Sequence, residues 1–396
     1  MTGAVLALNA GSSSLKFALF DATVAAGGVP DATARGEIAD LDRSPRFLAH
    51  DRTGAVIADH GWPDGPPPTF SVVLDNLLAF TDHQIGGNAL AAVGHRVVHG
   101  GADHAGPARV TKALLADLER LTALDPLHMP HNIAPIHAIA EARPGLPQIV
   151  CFDTAFHHTL PLVAQSCGLP RALQEAGIRR YGFHGLSYDY IAGRLARDAP
   201  ALARGRVIVA HLGSGASLCA LSDGRSVATT MGFSTLDGLL MATRCGSIDP
   251  GVLLYLARQG RGFADIEDML YHRSGLLGVS GSSGDIRDLQ ASDDAAAAEA
   301  VALFTYRIAT EAGGLVSALG GLDGLVFTAG IGEHSPAIRA AVCARLAWLG
   351  IRLDDRANAA NAGRVSTAES GIDVRVIATD EEAVIARHTL TAILGR

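Results

Sequence analysis

The chain has 396 residues, 48% of them hydrophobic and only 18% charged, with 45 glycines and 17 prolines. That composition excludes a disordered protein, and the length exceeds the roughly 250–300 residues at which one core tends to divide, so two domains are expected. Against 32 Lys and Arg stand 40 Asp and Glu, a net charge of −8 with no basic run, so nucleic acid is not the partner and any phosphate must be held by a local site.

The opening residues, MTGAVLALNAGSSSLKF, carry no basic segment ahead of their apolar stretch, so no signal peptide is expected. No window of about 18 uninterrupted apolar residues occurs to span a membrane. Residues 5–8 and 15–20 read as strands around a Gly/Ser turn. Residues 61–68 (GWPDGPPP) are a surface loop, and 91–98 hold a further buried strand. A helix is predicted over 111–123, with apolar Leu114, Leu115, Leu118 and Leu121 on one side. Strands follow at 148–152, ending on Asp153, and at 207–210, ending on His211. The Ala-rich stretch 292–319 is a helix with Asp293 and Asp294 in its first turn and Gly320 and Gly321 after its end. A strand at 325–328 enters a glycine-rich turn, Ala-Gly-Ile-Gly332. Strands alternating with helices make the fold class α/β. The five cysteines, Cys151, Cys167, Cys219, Cys245 and Cys343, are odd in number and scattered, which reads as reduced, buried thiols of a cytoplasmic protein without a disulfide frame or zinc site.

Residues 7–21 laid over 209–223, an offset of 202, coincide at Gly11/Gly213, Ser12/Ser214, Ala18/Ala220, Leu19/Leu221 and Asp21/Asp223. Both stretches read as strand, Gly/Ser turn, strand. Two similar halves are therefore expected, each opening with a hairpin whose tight turn exposes backbone N–H groups. Such turns hold phosphate, because small residues let amides approach the oxygens and hydroxyls add donors. Other phosphate chemistries are excluded. The two lysines, Lys16 and Lys112, do not sit in a G-K-[ST] loop; no protein-kinase signature occurs; and Gly330-x-Gly332-x-x-Ser335 lacks the third glycine of a dinucleotide fingerprint.

The remaining polar residues form a set. Arg96 lies within a buried strand, Arg244 in a Gly/Pro-bounded turn, His184 between glycines, Asp153 at a strand end and Glu381 at a helix start. Two arginines for a phosphoryl group, a histidine donor, and Asn9, Asp153 and Glu381 as candidates for Mg²⁺ are the mixture phosphoryl transfer needs, since its catalysis is mostly positioning and charge neutralisation.

Ten ordered motifs, among them LNAGSSSLKF, GHRVVHGG, DPLHMPHN, CFDTAFHHTLP, RYGFHGLS, AHLGSGASL, GLLMATRCGSIDPG, SGDIRDL, FTAGIGEHS and ATDEE, resemble the acetate kinase family almost end to end. The resemblance implies duplicated actin-like, ribonuclease-H-like domains with a nucleotide cleft between them. It implies an acyl-substrate and metal domain at 1–152 plus 383–396, and a nucleotide domain at 153–382. It implies Mg²⁺ (or Mn²⁺)-dependent, reversible transfer from ATP to acetate in a cytoplasmic homodimer. By residue, it implies Asn9 and Glu381 at the metal, Arg96 and Arg244 at the carboxylate and migrating phosphoryl group, and Asp153 orienting the metal or attacking oxygen. His184 would hydrogen-bond the phosphoryl group, with His128 and His211 in the same cleft. Ser12, Ser14 and Lys16 would serve the first phosphate hairpin, and Leu212, Gly213, Ser214 and Gly215 the second. Asp285, Ile286, Arg287, Gly330, Ile331 and His334 would surround the nucleoside, and Val98, Leu127 and Phe183 the acyl methyl group. The chain departs from the family pattern at Thr235 (proline is usual), Ser247 (an acid is common), and Ser214 and His334 (asparagines are frequent), which bears on acyl and nucleotide preference. Two other readings stay open: a propionate or other short-chain carboxylate kinase, and an actin-like ATPase switch that phosphorylates no carboxylate.

Overall fold

The structure, a computed structural model, describes residues 3–11, 13–22, 31–62 and 67–395. Ser12 and residues 63–66, half of the expected 61–68 loop, lie outside them. The chain forms two units, Met1–Phe156 with Asp380–Arg396, and His157–Thr379. The breaks expected after 152 and 382 thus fall at Phe156 and Thr379. The reason is local: the Asp153 amide donates to Val97 O at 3.0 Å and prolongs a strand ladder of the first unit, and Glu381 opens a helix, Glu381–Leu394, that belongs to the same unit.

The first unit holds β1 (Ala4–Ala10), β2 (Leu15–Asp21), β3 (Ala32–Ala39), β4 (Arg46–Asp51), β5 (Val56–Gly61), β6 (Leu90–Val97), β7 (Ala108–Arg109) and β8 (Gln148–Phe152). They lie in the order β5-β4-β3-β2-β1-β6-β8-β7. Strands β1 to β5 form an antiparallel meander, while β6 runs parallel to β1 and β8 parallel to β6. β1 and β8 are buried along their whole lengths, as strands covered on both faces must be. On one face Leu6, Leu8, Phe17 and Val93 pack with Val73, Leu77 and Ile139 of two helices, Phe70–Gln84 and Met129–Ala142. On the other lies Glu381–Leu394, so close that a Cβ on Gly94 would fall 2.2 Å from Thr389 Oγ1. The alternation of β6 then decides which side chain goes where. His95 turns toward Met129–Ala142, its Nε2 2.8 Å from Gln148 Oε1, and burial pushes its pKa down to about 4. Arg96 turns toward Glu381 and Glu382 at the start of the other helix.

The second unit contains β9 (Arg206–Leu212), β10 (Ala216–Ser222), β11 (Arg225–Thr229), β12 (Gly324–Thr328) and β13 (Asp373–Val376), ordered β11-β10-β9-β12-β13. Three antiparallel strands followed by two parallel ones repeat the β3-β2-β1-β6-β8 pattern of the first unit. The internal echo is therefore a duplication, with one correction. The first hairpin pairs Ala10 with Leu15 and the second Leu212 with Ala216, a loop shorter by one residue. Gly11 and Gly213 remain equivalent. Beyond the loop Ala18, opposite Ala7, corresponds to Cys219, opposite Val209, so the letter matches at Ala220, Leu221 and Asp223 are out of register.

Helix punctuation follows the sequence closely. Thr111 caps Lys112–Leu121, its hydroxyl accepting from the Leu114 amide. Asp294 caps Ala295–Leu319, so Asp293 and Asp294 precede that helix rather than occupy its first turn. Cys151, Cys219 and Cys343 are buried, but Cys245 is half-buried and Cys167 exposed, against the expectation of five buried thiols. Among the described residues no helix is long and apolar enough to cross a membrane.

Candidate active site

In the first unit the ends of β1, β6 and β8 and the start of Glu381–Leu394 bring four predicted residues together. Arg96 donates to Asp153 Oδ2 from Nε (3.0 Å) and Nη2 (2.6 Å), and from Nη1 to Asn9 Oδ1 (3.1 Å). Asn9 Nδ2 donates onward to Glu381 Oε2 (2.9 Å) and Glu382 Oε1 (3.1 Å). Burial opposes the Arg96 charge, but the carboxylates of Asp153 and Glu381 outweigh it, and its pKa lies above the ordinary value. Burial also drives the Glu381 carboxyl up to about 7; Asp153 and Glu382 push the same way, against Arg96 and Asn9.

This donor set fits a hard divalent cation. Asp153 is 1% exposed and its Oδ1 is buried with no hydrogen-bond partner, and Glu381 resists ionisation because it is buried and lies beside two further carboxylates. Among the described residues no group of three or more His, Cys, Asp and Glu forms a ready cage. Mg²⁺ needs none, since it takes one or two carboxylates and completes its shell with substrate phosphates and water.

His128 stands at the N-cap position of Met129–Ala142 without capping it through its side chain, its Nδ1 instead 2.8 Å from Asp125 Oδ1. Asn132 donates to Ala10 O (2.8 Å) and accepts from the Val98 amide (2.9 Å), tying the first hairpin to the segment after β6. Val98 is buried and Leu127 half-buried; Ser14 is half-buried, and Lys16 is exposed opposite Asn9 in the hairpin.

The second unit builds its cluster on the second hairpin turn. A Cβ on Gly215 would lie 2.9 Å from Arg244 Nη2 and 3.2 Å from His184 Nε2, so the turn, the guanidinium and the imidazole meet at contact distance. Arg244 Nη1 donates to Thr235 O at 2.7 Å. His184 adopts the left-handed conformation (φ 58°) at the start of Gly185–Asp198, a backbone state rare for non-glycine residues and concentrated at functional sites. Its ring stacks on His211, centroids 4.2 Å apart at 18°. Phe183 is buried, its carbonyl oxygen 2.9 Å from His157 Nε2.

A cavity of about 710 Å³ adjoins the turn, lined by Gly213, Ser214, Asp285, Ile286, Arg287, Gly330, Ile331 and His334, together with Ala242, Gly284, Gln290 and Ser335. Eight predicted nucleotide residues are gathered there. His211, Leu212 and Gly215 belong to the hairpin beside it, whereas Ser14 and Lys16 belong to the first unit. The glycine-rich segment after β12 is the first turn of a helix, Ala329–His334, held by Glu333 Oε1 accepting from the Ala329 amide (2.7 Å). A larger, shallower groove of about 950 Å³ runs alongside past Leu289, Ala298, Ile338 and Arg345, but neither Arg244 nor a glycine of the phosphate turns lines it.

Glu382, Asp125, Asn132, Ser217 and Tyr188 were not singled out from the sequence. Glu382 is adjacent to a predicted residue, and Asp125 is three residues before His128, a spacing that faces two side chains at a helix start. Ser217 and Tyr188 gave no signal beyond alternation on β10 and a helical turn from His184.

A profile of the acetokinase family matches residues 4–387. An acetate kinase of Rhodopseudomonas palustris is 52% identical over 395 residues, 98% of each chain. Two crystal structures are similar, each 33% identical. A propionate kinase of Francisella tularensis has a TM-score of 0.89 over 98% of each chain. An acetate kinase of Porphyromonas gingivalis has a TM-score of 0.86, over 99% of this chain and 100% of its own.

Proposed function

This chain belongs to the acetokinase family and phosphorylates acetate with ATP, giving acetyl phosphate and ADP; from that premise we propose how its own residues divide the work. A carboxylate oxygen of acetate attacks the γ-phosphorus, the bond to the β,γ-bridging oxygen breaks, and ADP leaves with the electron pair. Acetate is already ionised at neutral pH, so no general base is needed. The difficulty is repulsion between two anions, which calls for cations and donors.

Arg96 and Arg244 supply the positive charge for the carboxylate and the phosphoryl group in flight, with His128 and His184 as donors. Asn9, Asp153 and Glu381 would hold Mg²⁺, which when bound would neutralise phosphate charge and polarise the phosphoryl oxygens. The turn of Gly213, Ser214 and Gly215, with His211 and Leu212, receives the nucleotide phosphates, and the first hairpin contributes through Ser12, Ser14 and Lys16. Asp285, Ile286, Arg287, Gly330, Ile331 and His334 take the nucleoside. The observation that carries this division is the contact of Gly215 with both Arg244 Nη2 and His184 Nε2. A turn, a guanidinium and an imidazole converging on one point have the donor geometry for a trianionic phosphoryl group. An acyl phosphate transfers its phosphoryl group more readily than ATP does, so the ATP-forming direction is the easier one.

By the family resemblance, Val98 and Leu127 of the first unit and Phe183 and Thr235 of the second are assigned to the acyl group, each within its own unit. The Thr235 hydroxyl is buried without a hydrogen-bond partner, so the pocket is less apolar than a proline would make it. This keeps propionate as an alternative acceptor, since one methylene is worth only about 1–3 kcal/mol. A homodimer is supported by apolar surface on the second unit. Pro250–Arg258 buries none of its side chains and leaves Val252, Leu254 and Tyr255 exposed, and Phe263 is 80% exposed. A cytoplasmic location is supported by the demand for ATP.

The test is ADP release with and without acetate, hydroxylamine trapping the product. ADP formation is expected to depend strictly on the acid and to match acetohydroxamate mole for mole. Carboxylate-independent release of similar size would favour an ATPase switch.

A further inference from the structure

We propose that Ser217 and Tyr188 form a hydroxyl relay that fixes the tautomer of His184, keeping its ring neutral with the proton on Nε2, as a donor toward the phosphate turn. The inference rests on the role given above to His184. Ser217 is fully buried on β10, and its Oγ lies 2.8 Å from His184 Nδ1 and 2.5 Å from the Tyr188 hydroxyl. Tyr188 is also fully buried, one helical turn beyond His184. The proposed relay assigns one sense to these two contacts, whose distances alone accommodate either. The phenol donates to Ser217 Oγ, the Ser217 hydroxyl donates to Nδ1, and the proton of a neutral ring is thereby left on Nε2. Of the His184 ring atoms, Nε2 lies nearest to a Cβ placed on Gly215, at 3.2 Å. Burial raises the Tyr188 pKa well above its ordinary value, which suits a phenol that serves as a donor.

The surroundings oppose an imidazolium at this position. The ring stacks on His211 with centroids 4.2 Å apart, and Arg244 Nη2 shares contact with the same turn; a second and third positive charge so close would repel. His211 is held in the same manner, its Nδ1 2.8 Å from Ser187 Oγ, which lies 2.9 Å from Thr379 Oγ1. Hydroxyls accept or donate and do not favour the cation. The second unit therefore presents two stacked, hydroxyl-set imidazoles, and Ser217 and Tyr188 are positioning residues that act through the first.

The test uses the full-length enzyme and the variants Ser217→Ala, Tyr188→Phe and their combination, with His184→Asn as reference. Ring ¹⁵N spectra of histidine-labelled protein identify His184 as the signal lost in His184→Asn. Wild type is expected to show a protonated Nε2 and an unprotonated Nδ1. Ser217→Ala and Tyr188→Phe are expected to lower kcat on the order of 10- to 100-fold, the range for outer partners of a working histidine, with both KM values little changed. The double variant is expected to be no worse than Ser217→Ala, because both act through one chain of bonds. A protonated Nδ1 in wild type, or wild-type kcat in a folded Ser217→Ala, would overturn the relay. Wild-type kcat in His184→Asn would overturn the role of His184 itself, and the ring spectrum would still decide the relay.

Discussion

Arg96→Met, Asp153→Asn and the double variant separate a pair that serves the reaction from one that only stabilises the fold. Asp153 is 1% exposed and takes two of the three Arg96 hydrogen bonds on one oxygen. Removing the guanidinium alone strands a buried carboxylate, which costs about 3–5 kcal/mol. For a unit of this size that is roughly 6–20 °C of melting temperature, at about 2–4 °C per kcal/mol. Neutralising Asp153 as well removes the stranded charge, and most of the loss is recovered. The rate behaves differently. Loss of a preorganised donor costs about 3–4 kcal/mol in the transition state, some 10²–10³-fold, and nothing in the double variant replaces it. Scanning fluorimetry beside a coupled ADP assay reads both quantities. If activity returns together with melting temperature in the double variant, the pair is structural and the reasoning fails.

The raised Glu381 pKa sets a pH signature. The folded state binds this proton more tightly than the unfolded chain, so stability falls as pH rises from the ordinary 4.5 to about 7, and the penalty is complete above that. Metal-free Glu381→Gln should therefore gain on the order of 1–3 kcal/mol at pH 8 and nothing below pH 4.5; calorimetric melts at both values check it, and an equal gain at both contradicts it. Gly215→Ala places a methyl group 2.9 Å from Arg244 Nη2; kcat should drop on the order of 100-fold through misplacement alone, with melting temperature nearly unchanged. Thr235→Val removes a buried hydroxyl that has no partner, so stability should hold or rise by about 1 kcal/mol, and kcat/KM for propionate should improve relative to acetate. A clear fall in melting temperature would show that the hydroxyl is bonded.

Periodicity and turn residues made the strands legible, because β1, β8 and β12 are continuous apolar runs bounded by glycine or polar residues. The repeat was legible through its turns but not its register. Hairpin strands slip by one residue when a loop shortens, which letters do not reveal. Arg96 stood out as a cation in a buried strand, and alternation alone says it faces opposite to His95. Glu382, Asp125, Ser217 and Tyr188 were not legible. Each acts through another side chain; Asp125 meets His128 only three residues on, while Glu382 and Ser217 meet partners that the fold brings from distant segments. Asp153 and Glu381 are likewise held by the ladder and helix of the first unit, contacts that carry no compositional mark.

The account turns on Arg244 meeting the phosphoryl group beside Gly215 and His184. The most direct test is Arg244→Ala assayed in both directions, with acetate and ATP and with acetyl phosphate and ADP. Because the overall equilibrium is fixed by the substrates, kcat/KM should fall by the same factor of about 10²–10³ each way, while the variant keeps its fold and its nucleotide affinity. Near-wild-type turnover in both directions would contradict the account.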